Sequence, residues 1–409
     1  MSETGEETPE PGAPAVEREP GDAVAPRPRP GPPAQRPPLR VTGIFDERPD
    51  GSGNLRQVAR SLAPSPGDPY VPAPLARRFQ LRPGSEVTAE ASHEARGPLV
   101  RHIHSVDGLS INESRQRRSF KKLTVIDPDF HYELGTCAQD GQLSMRILDL
   151  LCPIGRGQRA LIVAPPRSGK TILMQQIAHA MEELYPDVHL IVLLVDERPE
   201  EATGWKRSVR RGEVYASTLD ERPENHVRLA EMVQERAERL VEAGKEVMIL
   251  LDSLTRLSRA YNHVIGSSGK TLSGGLDART MARPKAFFGA ARNTEEKGAL
   301  TIIATTLVET GSRMDQVIFE EFKGTGNMEL VLDRKLADRR IFPAIAVDRT
   351  GTRKEEKLLS RSTLRKVSIL RRVLSRMKPL EAMELMVSRL AQFPTNQDFL
   401  NAFSLEDVE

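Results

Sequence analysis

Ala160-Leu-Ile-Val-Ala-Pro-Pro-Arg-Ser-Gly-Lys-Thr171 is the stretch from which the rest of the chain is read. Its apolar run, Leu161–Val163, predicts a buried strand. A tight Pro-Pro-Arg-Ser loop follows, and Gly169-Lys170-Thr171 opens a helix from Ile172 to about Met181. Backbone N–H groups at such a helix start cradle phosphates, a lysine at that point reaches the β and γ oxygens, and the Thr171 hydroxyl is placed to ligate Mg²⁺. The first glycine of the usual G-x-x-x-x-G-K-[ST] pattern is Ala164 here. The bare string has chance matches; at a strand–helix junction it points to a nucleotide-binding loop.

Working outward, Glu246-Val-Met-Ile-Leu-Leu-Asp252 predicts a second buried strand, ending in a carboxylate. Ligands of open α/β sheets bind at that end, so Asp252 is expected beside Thr171 as a metal-site residue. Leu193-Leu-Val-Asp-Glu-Arg198 ends a third strand in clustered charge, and Glu197 is the candidate to orient or deprotonate the attacking water. Further apolar runs lie at 300–305 and 328–332, and an amphipathic helix is predicted over His226–Ala243. Buried strands separated by such helices imply a mostly parallel α/β sheet. Arginines on late loops, Arg340 and Arg353 among them, are candidate phosphate sensors or fingers for a neighbouring subunit. Two Gly-rich loops, one with Lys270 and one with Lys323, suit a nucleic-acid backbone.

The flanks read differently. Residues 1–40 hold eleven of the chain's 30 prolines and no aromatic residue, which predicts a disordered arm. Residues 41–115 alternate short β-like pieces with turn signals, as in a small antiparallel barrel or sandwich. Residues 116–144 look like a connector, and 145–409 comprise the ATPase domain with a helical C-terminal tail. The 409 residues include 59 Lys+Arg and 57 Asp+Glu, a net charge of +2, which excludes a histone-like polycation. Two cysteines, Cys137 and Cys152, exclude a disulfide framework or a cysteine zinc site. The histidines have no metal-ligand spacing. No apolar run approaches the roughly 20 residues of a membrane span. With no signal-peptide pattern either, a cytoplasmic protein without membrane partners is expected.

These residues, in this order, resemble the bacterial transcription termination factor Rho family. The likeness is densest in Pro153-Ile-Gly-Arg-Gly-Gln158, Ile162-Val-Ala-Pro-Pro166, Asp196-Glu-Arg-Pro-Glu-Glu201, Phe287-Phe-Gly-Ala-Ala-Arg-Asn293 and Glu320-Glu-Phe-Lys-Gly-Thr-Gly-Asn-Met-Glu-Leu330. The resemblance implies a RecA-type P-loop ATPase domain behind a small OB-like, cold-shock-type barrel. It also implies a homohexameric ring that hydrolyses ATP when RNA is bound, translocates along it and ends transcription, with RNA polymerase and elongation factors as partners. By the same carry-over, Gly155, Arg156, Gly157, Gln158, Arg159 and Ala160 line the ATP site with Arg167, Ser168, Gly169, Lys170, Thr171, Ile172 and Arg198, and Phe342 lies against the adenine. Glu197 positions water, Asp252 serves Mg²⁺, Arg340 senses phosphate and Arg353 is the finger of the adjacent subunit. Lys270, Arg313 and Lys323 form an RNA site in the central channel, and Arg56, Asp68 and Tyr70 one on the barrel.

The chain departs from the family in places. Arg167 and Arg313 stand where lysine is common. The family's Gly-Phe-Gly-Phe-Leu-Arg string is Gly51-Ser-Gly-Asn-Leu-Arg56 here, and Pro98-Leu-Val100 replaces a third aromatic patch. Base–aromatic stacking contributes roughly 1–3 kcal/mol per base, so weaker RNA loading at the barrel is expected. Two rival readings are an RNA-binding or Rho-regulating paralogue that assembles without efficient termination, and a RecA-like ring ATPase acting on another polymer.

Overall fold

In the computed structural model, residues 37–95, 97–137, 142–265, 273–277 and 279–402 are described. The expectation for residues 1–40 lies outside them except at its end, where Leu39 and Arg40 already belong to a strand. Five strands, β1 (Leu39–Glu47), β2 (Gly53–Arg56), β3 (Tyr70–Val71), β4 (Glu86–Glu94) and β5 (Gly97–Val106), close into a barrel of order β1-β2-β3-β5-β4. Closure leaves no free sheet edge. Strand β4 shows why the sequence folds this way: Val87, Ala89 and Ala91 alternate into the interior and are at most 1% exposed. Val87 and Ala89 pack there with Phe45, Leu55 and Ile103. Gly53 makes room for Phe45, since a Cβ at Gly53 would lie 2.4 Å from that ring.

The remaining strands are β6 (Val125–Ile126), β7 (Arg159–Ala164), β8 (His189–Glu197), β9 (Glu213–Thr218), β10 (Glu246–Asp252), β11 (Arg292–Thr294), β12 (Ala299–Leu307), β13 (Met328–Val331) and β14 (Gly351–Thr352). They form one sheet of order β14-β13-β7-β12-β10-β8-β9, parallel from β13 to β9, with β11 and β6 added antiparallel at β12. Strands β8 and β12 are buried along nearly their whole length. Helices cover both faces, as a parallel sheet of continuous apolar strands requires. Lys170–Leu184 and the C-terminal helices Arg361–Leu374 and Pro379–Leu390 pack on one side, Pro223–Glu242 and Leu254–Ile265 on the other. Pro223 and Pro379 each open their helix, where a missing N–H costs nothing.

The stretch read as a connector is built into the sheet. Strand β6 pairs with β11, and buried Phe120 lies under the Arg292 guanidinium, 4.2 Å from ring centre to Cζ. A two-residue strand has no periodicity to detect, which is why the sequence reads as linker. Residues 38–409 form one unit. The barrel seats on the helix Pro223–Glu242, where Gly84 meets the backbone of Glu235 and Arg236 so closely that a Cβ would fall 2.3 Å from it. Arg82 makes a bidentate pair with Glu242, and Arg236 bonds Glu86 at 2.9 Å and Glu213 at 3.2 Å. Among the described residues, no helix is long and apolar enough to cross a membrane.

Candidate nucleotide and RNA sites

Strands β7, β8, β10 and β12 run parallel, so their C-terminal ends bring Ala164, Glu197, Asp252 and Leu307 to one edge of the sheet. Beyond β7 the loop turns through Arg167 and Gly169, at φ +64° and +88°. Ser168 donates to the Pro165 carbonyl at 2.8 Å and pins the loop. The helix then starts at Lys170. A Cβ on Gly169 would sit 3.2 Å from the Phe342 ring, so Phe342 lies over the loop. Phe342 and Ile172 are 44% and 61% exposed, an unusual pair of open apolar groups beside a polar loop.

Lys170 reaches across to Asp252, donating to Oδ1 at 2.5 Å and Oδ2 at 2.6 Å, and its Nζ is 3.6 Å from Glu197. Thr305 donates to the same Asp252 carboxylate at 2.8 Å. Glu197 is 4% exposed. Burial pushes its carboxyl above the usual range and the Asp252 charge adds to that, while Lys170 and Arg256 pull it down. Arg256, one turn into the helix after β10, donates to the Asp196 carbonyl at 2.5 Å and to its carboxylate at 3.2 Å; its Nε lies 3.5 Å from Glu197. Asp196 is the extra residue of a bulge between β8 and β9 and has φ +55°. Behind it, buried Ser217 and His226 are joined at 2.5 Å, and His226 Nε2 stands 4.0 Å from Asp196.

The arginines divide between the two edges. Arg198 and Arg340 are exposed on the loop side, Arg340 two residues before Phe342. Arg353 follows β14, and its N–H bonds the Asn327 carbonyl at 2.8 Å, just before β13 begins. That is the opposite edge. Gly155–Ala160 lie there too: the Gln158 side chain and the Arg159 N–H both bond Asn327 Oδ1, at 2.6 and 2.8 Å, and Arg156 pairs with Glu246 at the start of β10. Burial and the nearby Arg353 charge hold the Arg159 guanidinium below its usual range. At about 3.3 Å per residue, β7 separates this group from the Lys170 loop by roughly 16 Å. Within one chain, Gly155, Arg156, Gly157, Gln158, Arg159 and Ala160 therefore stand at the other end of β7 from Lys170.

Arg313 and Lys323 are the first and last residues of one helix, Arg313–Lys323, about 15 Å apart along its axis. The Ser273–Gly275 turn packs on its start, where a Cβ on Gly274 would lie 2.8 Å from the Met314 nitrogen. Lys270 lies outside the described residues. On the barrel, Asp68 accepts from Arg56 and Arg60, both at 2.8 Å, and Tyr70 pairs in register with Asn54. Sequence reading missed Arg256, Thr305, Asn327 and the Ser217–His226 pair. Thr305 left only a faint trace, as one of three threonines in the buried run of β12, and Asn327 one inside the quoted 320–330 string.

A phosphate loop, a strand-end carboxylate and a second buried acid on one edge of a parallel sheet define a P-loop ATPase. Residues 144–350 match the model of the ATP synthase alpha/beta family, nucleotide-binding domain. Solved structures share the fold: a type III secretion system ATPase superposes with a TM-score of 0.58 at 20% identity, covering 76% of this chain and 92% of that one, and EscN of enteropathogenic E. coli with 0.55, covering 78% and 76%. Residues 41–115 match the Rho termination factor, RNA-binding domain. Among curated relatives, transcription termination factor Rho of Pseudomonas aeruginosa is 50% identical over 365 residues, 88% of this chain and 87% of that one. Its counterpart from Aquifex aeolicus is 49% identical over 371 residues, 89% and 84%. The chain belongs to the transcription termination factor Rho family.

Proposed function

We propose that the chain is an RNA-dependent ATPase that moves along single-stranded RNA and terminates transcription, working as a homohexamer inside the cell with RNA polymerase and its elongation factors as partners. The observation that carries the ring is the separation of Arg353 from Lys170 on opposite sheet edges. A finger that cannot reach its own pocket serves a neighbour's.

ATP phosphates seat on the N–H groups of the Lys170 loop, with Arg167 and Arg198 at its rim and the adenine against Phe342. Lys170 then exchanges Asp252 for phosphate oxygens. The donor set freed, the Asp252 carboxylate with the Thr171 hydroxyl, is hard oxygen and suits Mg²⁺, which takes few protein ligands besides substrate phosphates. Bound there, Mg²⁺ supplies neutralisation of phosphate charge. Glu197 orients the water and accepts its proton, Arg340 senses the phosphate, and the neighbour's Arg353 stabilises the developing charge. Gly155–Arg159, placed beside Arg353, belong to that donating face. Lys323, Arg313 and Lys270 contact RNA in the channel.

Phosphate release against purified chain, with and without RNA and Mg²⁺, tests this reading. Hydrolysis should need both, and Lys170→Ala should abolish it. Equal turnover without RNA would overturn it. The regulatory-paralogue reading predicts no turnover at all, and the intact Lys170, Glu197, Asp252 and Arg353 weigh against it.

A further inference from the structure

The barrel has lost two aromatic positions, yet its RNA-side groove is not bare. A cleft of about 960 Å³ opens between β2, β3 and β5. Three of its lining residues are arginines. Arg56 is held by Asp46 at 2.6 Å and Asp68 at 2.8 Å, and Arg101 by Glu94 at 2.8 Å. Arg48 is the one of the three whose described bonds include no carboxylate: its Nη2 donates to Asn54 Oδ1 at 2.7 Å. That bond lays the guanidinium over the Tyr70 ring, 5.5 Å from the centroid, while the residue stays exposed. Asn54 is 8% exposed, and its amide nitrogen is turned to the Asp68 carbonyl at 3.4 Å. Buried and occupied at both ends, Asn54 is a brace for Arg48.

We propose that Arg48, braced by Asn54 and laid over Tyr70, is a nucleobase platform that stands in for the missing rings and favours purine-rich single-stranded RNA. The inference rests on the RNA-binding reading above and names the substrate class of its barrel site. A guanidinium is flat, and single-stranded bases stack on such planes as they do on aromatic rings. Its charge is bonded to no carboxylate and is felt only at a distance by exposed Asp50, so it attracts the electron-rich face of a base. Because the Asn54 amide is spent on Arg48 and Asp68, it reads no base edge. Preference then follows the size of the stacked π-face, which is larger for purines.

The test uses the full-length chain without nucleotide, titrated with fluorescent oligo(A) and oligo(C) of about 12 nucleotides, within the site size of such folds. Wild type should bind oligo(A) the more tightly. Arg48→Ala should weaken oligo(A) binding by about tenfold, the loss of one stacked base, and erase the preference. Arg48→Lys should do the same, since an ammonium keeps the charge without the plane, and Asn54→Ala should fall between. Photocrosslinked oligo(A) should map to the Tyr70 peptide. Wild-type affinity in Arg48→Lys would overturn the platform in favour of a plain charge contact, and so would tighter oligo(C) binding that ignores Arg48→Ala. Hydrolysis is followed in the same preparations. RNA-independent turnover in wild type would sink the motor reading and leave the binding comparison intact. RNA-stimulated turnover with binding indifferent to position 48 would sink the platform alone.

Discussion

Glu197 illustrates how single side chains set the chemistry. Its carboxyl is raised first by burial and then by Asp252, and lowered by Lys170 and Arg256. In the role proposed for Glu197, the ionised form accepts a proton from water, so turnover should rise with pH through that raised value. Arg256→Gln removes one downward pull. The acid limb of the kcat profile should move to higher pH, and an unmoved limb would show that Arg256 does not act on Glu197. A second expectation concerns the bulge that presents Glu197. Ser217→Ala and His226→Ala each remove half of the pair behind Asp196. Small misplacements of reacting groups cost up to about 100-fold, so kcat should fall by about tenfold or more with KM for ATP nearly unchanged. A matched loss in KM would place the pair in nucleotide binding instead. Burial holds the His226 imidazole below its usual range, so it is neutral in this role.

At the scale of elements, the helix Pro223–Glu242 ties the two halves of the molecule. Near its start His226 backs the ATP site; at its end Glu242 receives Arg82, the Phe120 N–H at 2.7 Å and Arg239 at 3.0 Å. The Glu242 side chain is 0% exposed. Glu242→Gln leaves these arginines without their buried counter-charge. Breaking a buried pair costs about 3–5 kcal/mol, so the urea midpoint should drop sharply. A midpoint within error of wild type would show that solvent enters the joint. Elements with a strong internal pattern were legible beforehand. The phosphate loop at its strand–helix junction, the apolar runs of β8 and β10, and the amphipathic face of this helix all declare themselves locally, the helix running Pro223–Glu242 against an expected 226–243. The joint between barrel and sheet was not legible, because Arg82 and Glu242 lie 160 positions apart and each reads as a surface charge. Nor was the distance between Gly155–Ala160 and Lys170. Adjacent strings look like one site until the strand between them is laid out straight.

For the whole molecule, the proposed ring makes a sharper demand than either domain. Arg353→Ala should still bind ATP through its own Lys170 loop while hydrolysing almost none, a finger being worth roughly 10³–10⁵ in turnover. Mixed with Lys170→Ala under subunit exchange, it should regain activity at junctions that pair an intact loop with an intact finger. If both variants assemble and the mixture stays inert, either the finger lies elsewhere, with Arg340 next in line, or one dead site stalls the whole ring, and titrating Arg353→Ala into wild type separates the two. The two-edged sheet carries one more consequence. A chain whose socket and plug face opposite ways cannot satisfy a partner by two-fold symmetry, because matching surfaces would meet like with like. In the assembly proposed above, growth is head to tail, and an unclosed row ends in one socket without a plug. In the proposed ring, a gap through which RNA could enter would therefore also be a missing engine, and sealing the circle around the strand would bring the last one into service.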